Sequence, residues 1–192
     1  MKLHLLTTLS LAALALASCG KQSEPLPGNA GMSNDMSAAT NTGAGSIMAP
    51  ASAGQTFANA AAASDMFEIE SSRLAASNGA SASVKRFAQS MIEAHTGSTD
   101  KLKAAIAQAT PAMTPDPTLN AEQQQTLDML RGKQGAEFDA AYVDAQRKAH
   151  QMTLDTLKAY AANGDVSSLK TFATEMVPVV TGHLNMAKGL KP

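Results

Sequence analysis

From Gln55 to the C-terminus, small and apolar residues recur every three or four positions, and no stretch alternates every second position. That period lays one stripe along one side of an α-helix, whereas a half-buried strand needs a period of two. Phe57, Ala60, Ala61, Ser64, Phe67, Glu68, Ser71, Leu74 and Ala75 form a first stripe, which Asn78-Gly79 closes. Val84, Phe87, Ala88, Met91, His95, Leu102, Ile106 and Ala109 form a second, ended by Pro111. Pro111, Pro115 and Pro117 make 110–118 a loop, and Asn120 with Gln123 caps a short helix through Leu127 and Leu130. Gly132 and Gly135 break it. A third long helix carries Phe138, Tyr142, Gln146, His150, Leu154 and Leu157 and stops at Asn163-Gly164. Asp165 is expected to cap a fourth, with Leu169, Phe172, Ala173, Met176, Val180, His183, Leu184 and Ala187 on one face and Pro178 as a kink.

Four long helices without strands predict an all-α, four-helix bundle with a short extra helix between the second and third long ones. The alanine-rich stripes imply close helix approach. The connection between those two helices is long enough to cross the bundle, as in ferritin-like topology, or to return beside it. The sequence leaves both open.

Upstream the composition changes. All five Phe and both Tyr lie after residue 54. Residues 1–18 hold a basic start (Lys2) and an apolar run from Leu5 to Leu16, about 12 residues, within the range of a signal-peptide core and too short to span a bilayer. Leu16-Ala17-Ser18-Cys19 then reads as a lipobox: lipidation of the Cys19 sulfur, cleavage before it, and N-acylation. Gly20, rather than Asp, follows the cysteine, which by resemblance to Gram-negative lipoproteins favours the outer membrane. Cys19 is the only cysteine, so the mature protein has no disulfide and no cysteine metal site. Residues 19–54 are a lipidated Cys and a disordered Gly/Ala/Ser/Asn tether, too poor in apolar surface to offset its ordering entropy, with a reach of roughly 33 Å. Met32, Met36 and Met48 lie in it without an accompanying His. Residues 55–192 form the bundle domain. A net charge of −1 provides no basic face, so nucleic acid is not an expected partner. The expected partner is a membrane, through the anchor at Cys19.

The runs FANAAAASDMFEIESSRLA, VKRFAQSMIEAHTGSTDKL, FDAAYVDAQRKAHQMTLDTLKAYAANGD and LKTFATEMVPVVTGHLNMAKGL resemble the bacterial domain of unknown function family 4142. Its members are labelled predicted outer membrane proteins. The resemblance covers roughly residues 55 to 190 and implies a ferritin-like up-and-down bundle in an exported protein. It brings no established activity, so no catalytic residue is carried over.

One constellation carries chemistry. His4 leaves with the signal, and the other three His fall one each on the stripes of the second, third and fourth long helices: His95, His150 and His183. The first supplies Glu68. At 1.5 Å per residue the four groups fall in a slab of about 11 Å, whether the two Asn-Gly turns share an end or lie at opposite ends. Glu with His is a ligand set for zinc, iron, manganese or copper. Di-metal carboxylate bundles, however, carry Glu-x-x-His on two helices. Here Ile92, Arg147 and Val180 stand three residues before the histidines, and Glu93, Asp144 and Glu175 lie off their stripes or too far along the axis. A buried polar layer, with His bonded to Glu68, Tyr142 or Gln146, explains the same residues by fixing helix register. Met66, Met91, Met152 and Met176, one per long helix, read as core filler before copper ligands. Phosphate loops and nucleophile–base pairs are absent from the sequence. The reading is a non-enzymatic, envelope-anchored lipoprotein that acts by binding or structure. No cofactor is expected beyond, at most, one divalent metal. The alternative is a periplasmic ferritin-like metalloprotein, with metal or peroxide chemistry.

Overall fold

The computed structural model describes residues 51–191. The signal 1–18, Cys19 and the tether up to residue 50 lie outside the described residues. Among the described residues five helices occur in order: α1 (Ala53–Asn78), α2 (Ala82–Ala107), α3 (Ala121–Arg131), α4 (Gly135–Asn163) and α5 (Ser167–Gly189). The fold is an all-α bundle of four long helices with a short fifth between the second and third.

The bundle begins two residues before the expected Gln55. Ser52 caps α1, its hydroxyl accepting from the Gln55 N–H at 3.1 Å. Gly54 belongs to the core: a Cβ there would stand 2.7 Å from Val166 Cγ2. The α3 cap is as read, with Asn120 and Gln123 forming a reciprocal capping box. The cap of α5 is not. Val166 is its N-cap and makes no side-chain cap bond. Asp165 instead accepts from the Tyr160 hydroxyl at 2.8 Å, closing the α4–α5 turn. A buried-ring hydroxyl needs a partner, and Asp165 is the nearest acceptor. Helix α5 runs through Pro178 without interruption.

The two interhelix turns lie at opposite ends. Gly79, after α1, bridges to Gly135 at the start of α4. The Asp139 carboxylate accepts from the Ala80 and Ser81 N–H groups, the shortest at 2.7 Å, so α4 starts beside the α1–α2 turn. At the other end the Phe57 and Tyr160 rings stack 3.9 Å apart. Helix α4 therefore runs parallel to α2, and the connection between them climbs the length of the bundle. It is tied to α1 on the way: Gln55 Nε2 donates to Thr114 O (2.6 Å), Asp116 N to Asn59 Oδ1 (3.0 Å), and Asn78 Nδ2 to Lys133 O (3.1 Å). Around the bundle, α1 and α5 each adjoin α2 and α4.

The α4 and α5 stripes are buried as read. The buried face of α1 is rotated from the expected one. Ala58, Ala62, Asp65 and Ser72 point inward, while Ala60 is exposed and Ala61, Ser64 and Leu74 are half-buried. The displaced residues Ala60, Ala61 and Ser64 line a groove beneath α3, since α1 must cover three neighbours rather than two. Two apolar clusters result. One gathers Phe57, Leu102, Leu157, Tyr160, Phe172 and Leu184, and the other Val84, Phe87, Met91, Leu130, Phe138 and Tyr142. The histidines lie along the chain where one gives way to the other.

Candidate metal centre

His95, His150 and His183 meet in mid-bundle. Their ring centroids are 5.5–5.6 Å apart in all three pairings. One nitrogen from each ring lies within 4.8 Å of those from the other two. They are 3 %, 1 % and 9 % exposed. Three helices deliver them because each histidine takes a stripe position flanked by apolar residues one or two turns away, Met91 and Leu102 on α2 and Leu154 on α4.

Each of the first two rings is fixed from behind. His95 Nδ1 lies 2.8 Å from Asp65 Oδ1, and the Thr99 hydroxyl donates to the second Asp65 oxygen at 3.2 Å. His150 Nδ1 donates to the carbonyl of Gln146 at 2.9 Å, one turn earlier on its own helix. Glu68 Oε1 stands 3.4 Å from the same nitrogen. In a neutral ring, a proton on Nδ1 leaves Nε2 with a free lone pair. Among the described residues neither buried Nε2 has a hydrogen-bond partner, and nor has the buried Nδ1 of His183. Neither oxygen of Glu68, which is 1 % exposed, has a partner that meets hydrogen-bond geometry.

Burial acts to lower the pKa of His95, but the Asp65 hydrogen bond and the Glu68 and Asp65 charges outweigh it and hold it above the ordinary value. His183 goes the other way. Burial, then the neighbouring His95 and His150, push it down to about 4. The buried Tyr142 hydroxyl is pushed up by burial.

Of the residues expected here, the three histidines converge. Glu68 is drawn in, but to the Nδ1 side of His150 rather than into the convergent set. Tyr142 and Gln146 do not bond to histidine through their side chains. The Tyr142 hydroxyl pairs with Ser72 at 2.7 Å, and Gln146 Nε2 donates to Ser71 at 3.1 Å. Both serines lie on the buried face of α1, Ser71 on the expected stripe and Ser72 brought inward by the rotation. The methionines do not converge: Met91 and Met176 are buried, but Met66 and Met152 are 37 % and 48 % exposed. Glu93, Asp144 and Glu175 face solvent. Sequence reasoning missed Asp65. The available signal was its place on the seven-residue line Ala58–Asp65–Ser72 and its i, i+3 relation to Glu68.

Three convergent imidazoles, two of them held from behind by the Asp65 carboxyl group and the Gln146 carbonyl, have the outer support that orients histidines in metal sites. Metal–nitrogen bonds of 2.0–2.1 Å place tetrahedral nitrogens roughly 3.3 Å apart, so the rings need close by no more than about 1.5 Å.

Among the described residues no helix is long and apolar enough to cross a membrane. No curated protein and no solved structure matches the chain. A family model does, over residues 39–190, reaching upstream of the bundle into the segment read as tether. The chain belongs to the family described as domain of unknown function (DUF4142).

Proposed function

We propose that this protein is an envelope-anchored helical-bundle lipoprotein of ferritin-like type that binds one divalent transition-metal ion through His95, His150 and His183, and that its role is binding rather than catalysis. The observation that carries this is the convergence of three buried imidazoles, one nitrogen of each within 4.8 Å of the others, each ring also bearing a buried nitrogen with no hydrogen-bond partner among the described residues. A polar layer serving only helix register would pair them with one another or with neighbours, because an unpaired buried polar group costs about 1–3 kcal/mol. Glu68, buried without a geometric partner, adds to the same deficit. Imidazole ligation suits zinc, copper, nickel, cobalt and iron(II), and disfavours magnesium and calcium. The lengthwise crossover supports the ferritin-like assignment, and the absence of Glu-x-x-His pairs speaks against di-metal oxygen chemistry. Anchoring rests on the lipobox ending at Cys19, and an outer-membrane site on Gly20.

The experiment is metal analysis of the full-length protein after expression in metal-replete medium, followed by titration with Zn(II). One ion per chain is expected, lost in His95→Ala and His150→Ala. Protein that takes up no transition metal while staying folded returns the site to the polar-layer reading.

A further inference from the structure

The three imidazoles are not held alike. His95 and His150 are each locked by an Nδ1 bond, to Asp65 at 2.8 Å and to the Gln146 carbonyl at 2.9 Å. A locked ring keeps its free nitrogen aimed at one point. His183 has no such support. Among the described residues no hydrogen bond holds either nitrogen of its ring, and it is the most exposed of the three. Its neighbour Gly182 faces open space, with nothing within 4 Å of where a Cβ would be. Five residues earlier in α5 stands the exposed Pro178, which has no N–H for the helical ladder. The helical segment carrying His183 thus follows a backbone bond the helix cannot make, whereas α2 and α4 contain no proline.

We infer, resting on the metal-binding reading above, that the ion is exchangeable cargo: His95 and His150 form a fixed two-nitrogen seat, and His183 is the ligand that swings away to admit or release it. The ion stays on two nitrogens while the third position opens, and an incoming ligand takes that position before the seat lets go. Release to an acceptor is then faster than spontaneous loss, as a carrier or buffer of borderline divalent cations requires and as a closed structural metal does not.

The test uses full-length protein in detergent loaded with Co(II), whose visible absorption reports nitrogen ligation, mixed with increasing chelator. In the wild type the release rate should rise with chelator concentration. His183→Ala should still bind one Co(II), weaker by at least the roughly 10–100-fold that loss of a supporting group costs, and release it at least about ten-fold faster. His183→Asn, closer in volume, gives the same readout should the alanine variant melt early. His95→Ala and His150→Ala should lose Co(II) altogether. Pro178→Ala, outside the site, should keep affinity within about two-fold and release more slowly, since it restores a backbone donor. A wild-type protein that binds no Co(II) overturns the metal reading and this inference with it. A wild type that binds one Co(II), with release that neither His183 variant accelerates, overturns the exchange route alone. So does a His183→Ala variant that loses binding as completely as His95→Ala.

Discussion

Asp65 and His95 lie one helix apart and thirty residues apart in the chain, yet their side chains meet at 2.8 Å with 4 % and 3 % exposure. A carboxylate is almost never buried so fully unless something claims it. Here it sets which ring nitrogen carries the proton and leaves the other free for a ligand.

Asp65→Asn keeps an acceptor for His95 Nδ1 but removes the charge. Zn(II) affinity should fall roughly 10–100-fold while one site per chain remains. Isothermal titration against wild type checks both values. An unchanged dissociation constant would show that Asp65 only fills space.

Metal removal should lower stability by mass action. Zn(II) at 100 times its dissociation constant adds about 2.7 kcal/mol. For a domain of this size that is a difference of roughly 5–10 °C in Tm between loaded and EDTA-treated protein. His150→Ala should abolish the difference. Because imidazoles must be neutral to ligate, the metal-dependent part of Tm should shrink as the buffer is made acidic. Differential scanning calorimetry with and without chelator reads all three effects.

Asp139 is 1 % exposed and accepts from the Ala80 and Ser81 N–H groups where α2 begins. Asp139→Ala leaves both donors unmet and unties the start of α4 from the α1–α2 turn. A loss of roughly 1–3 kcal/mol is expected in urea titration. Zn(II) stoichiometry should not change, since no histidine depends on this contact.

Cys19→Ser tests the anchor separately from the bundle. The variant should leave the membrane fraction or accumulate as uncleaved precursor, with helicity unaltered. Unchanged fractionation together with unchanged mature mass would end the lipoprotein reading.

The helices and their histidines were legible because both depend on local period. His95, His150 and His183 each sit among apolar neighbours at 3–4 spacing, and that pattern survives in any bundle. What surrounds them was not legible. Asp65 looks like a solvated acid until His95 arrives from another helix. Asp165 has the residue type and position of a helix cap, and only the Tyr160 hydroxyl diverts it. The direction of the crossover depends on side-chain amides of Gln55, Asn59 and Asn78 reaching loop backbone, contacts that leave no periodic trace. The face of α1 was misjudged because an alanine-rich helix carries almost no contrast between its sides: alanine fits a core and a groove equally well.

The lengthwise crossover also dictates an order of assembly. The α1–α2 and α4–α5 hairpins each close through short turns, so each can form early from local contacts. His95 belongs to the first hairpin, and His150 and His183 to the second. Neither hairpin alone owns the triad, and the chain between them must traverse the whole length of the assembly before the rings can meet. An ion captured at the proposed site would therefore arrive late in folding, and its presence would report that the two halves have docked in register.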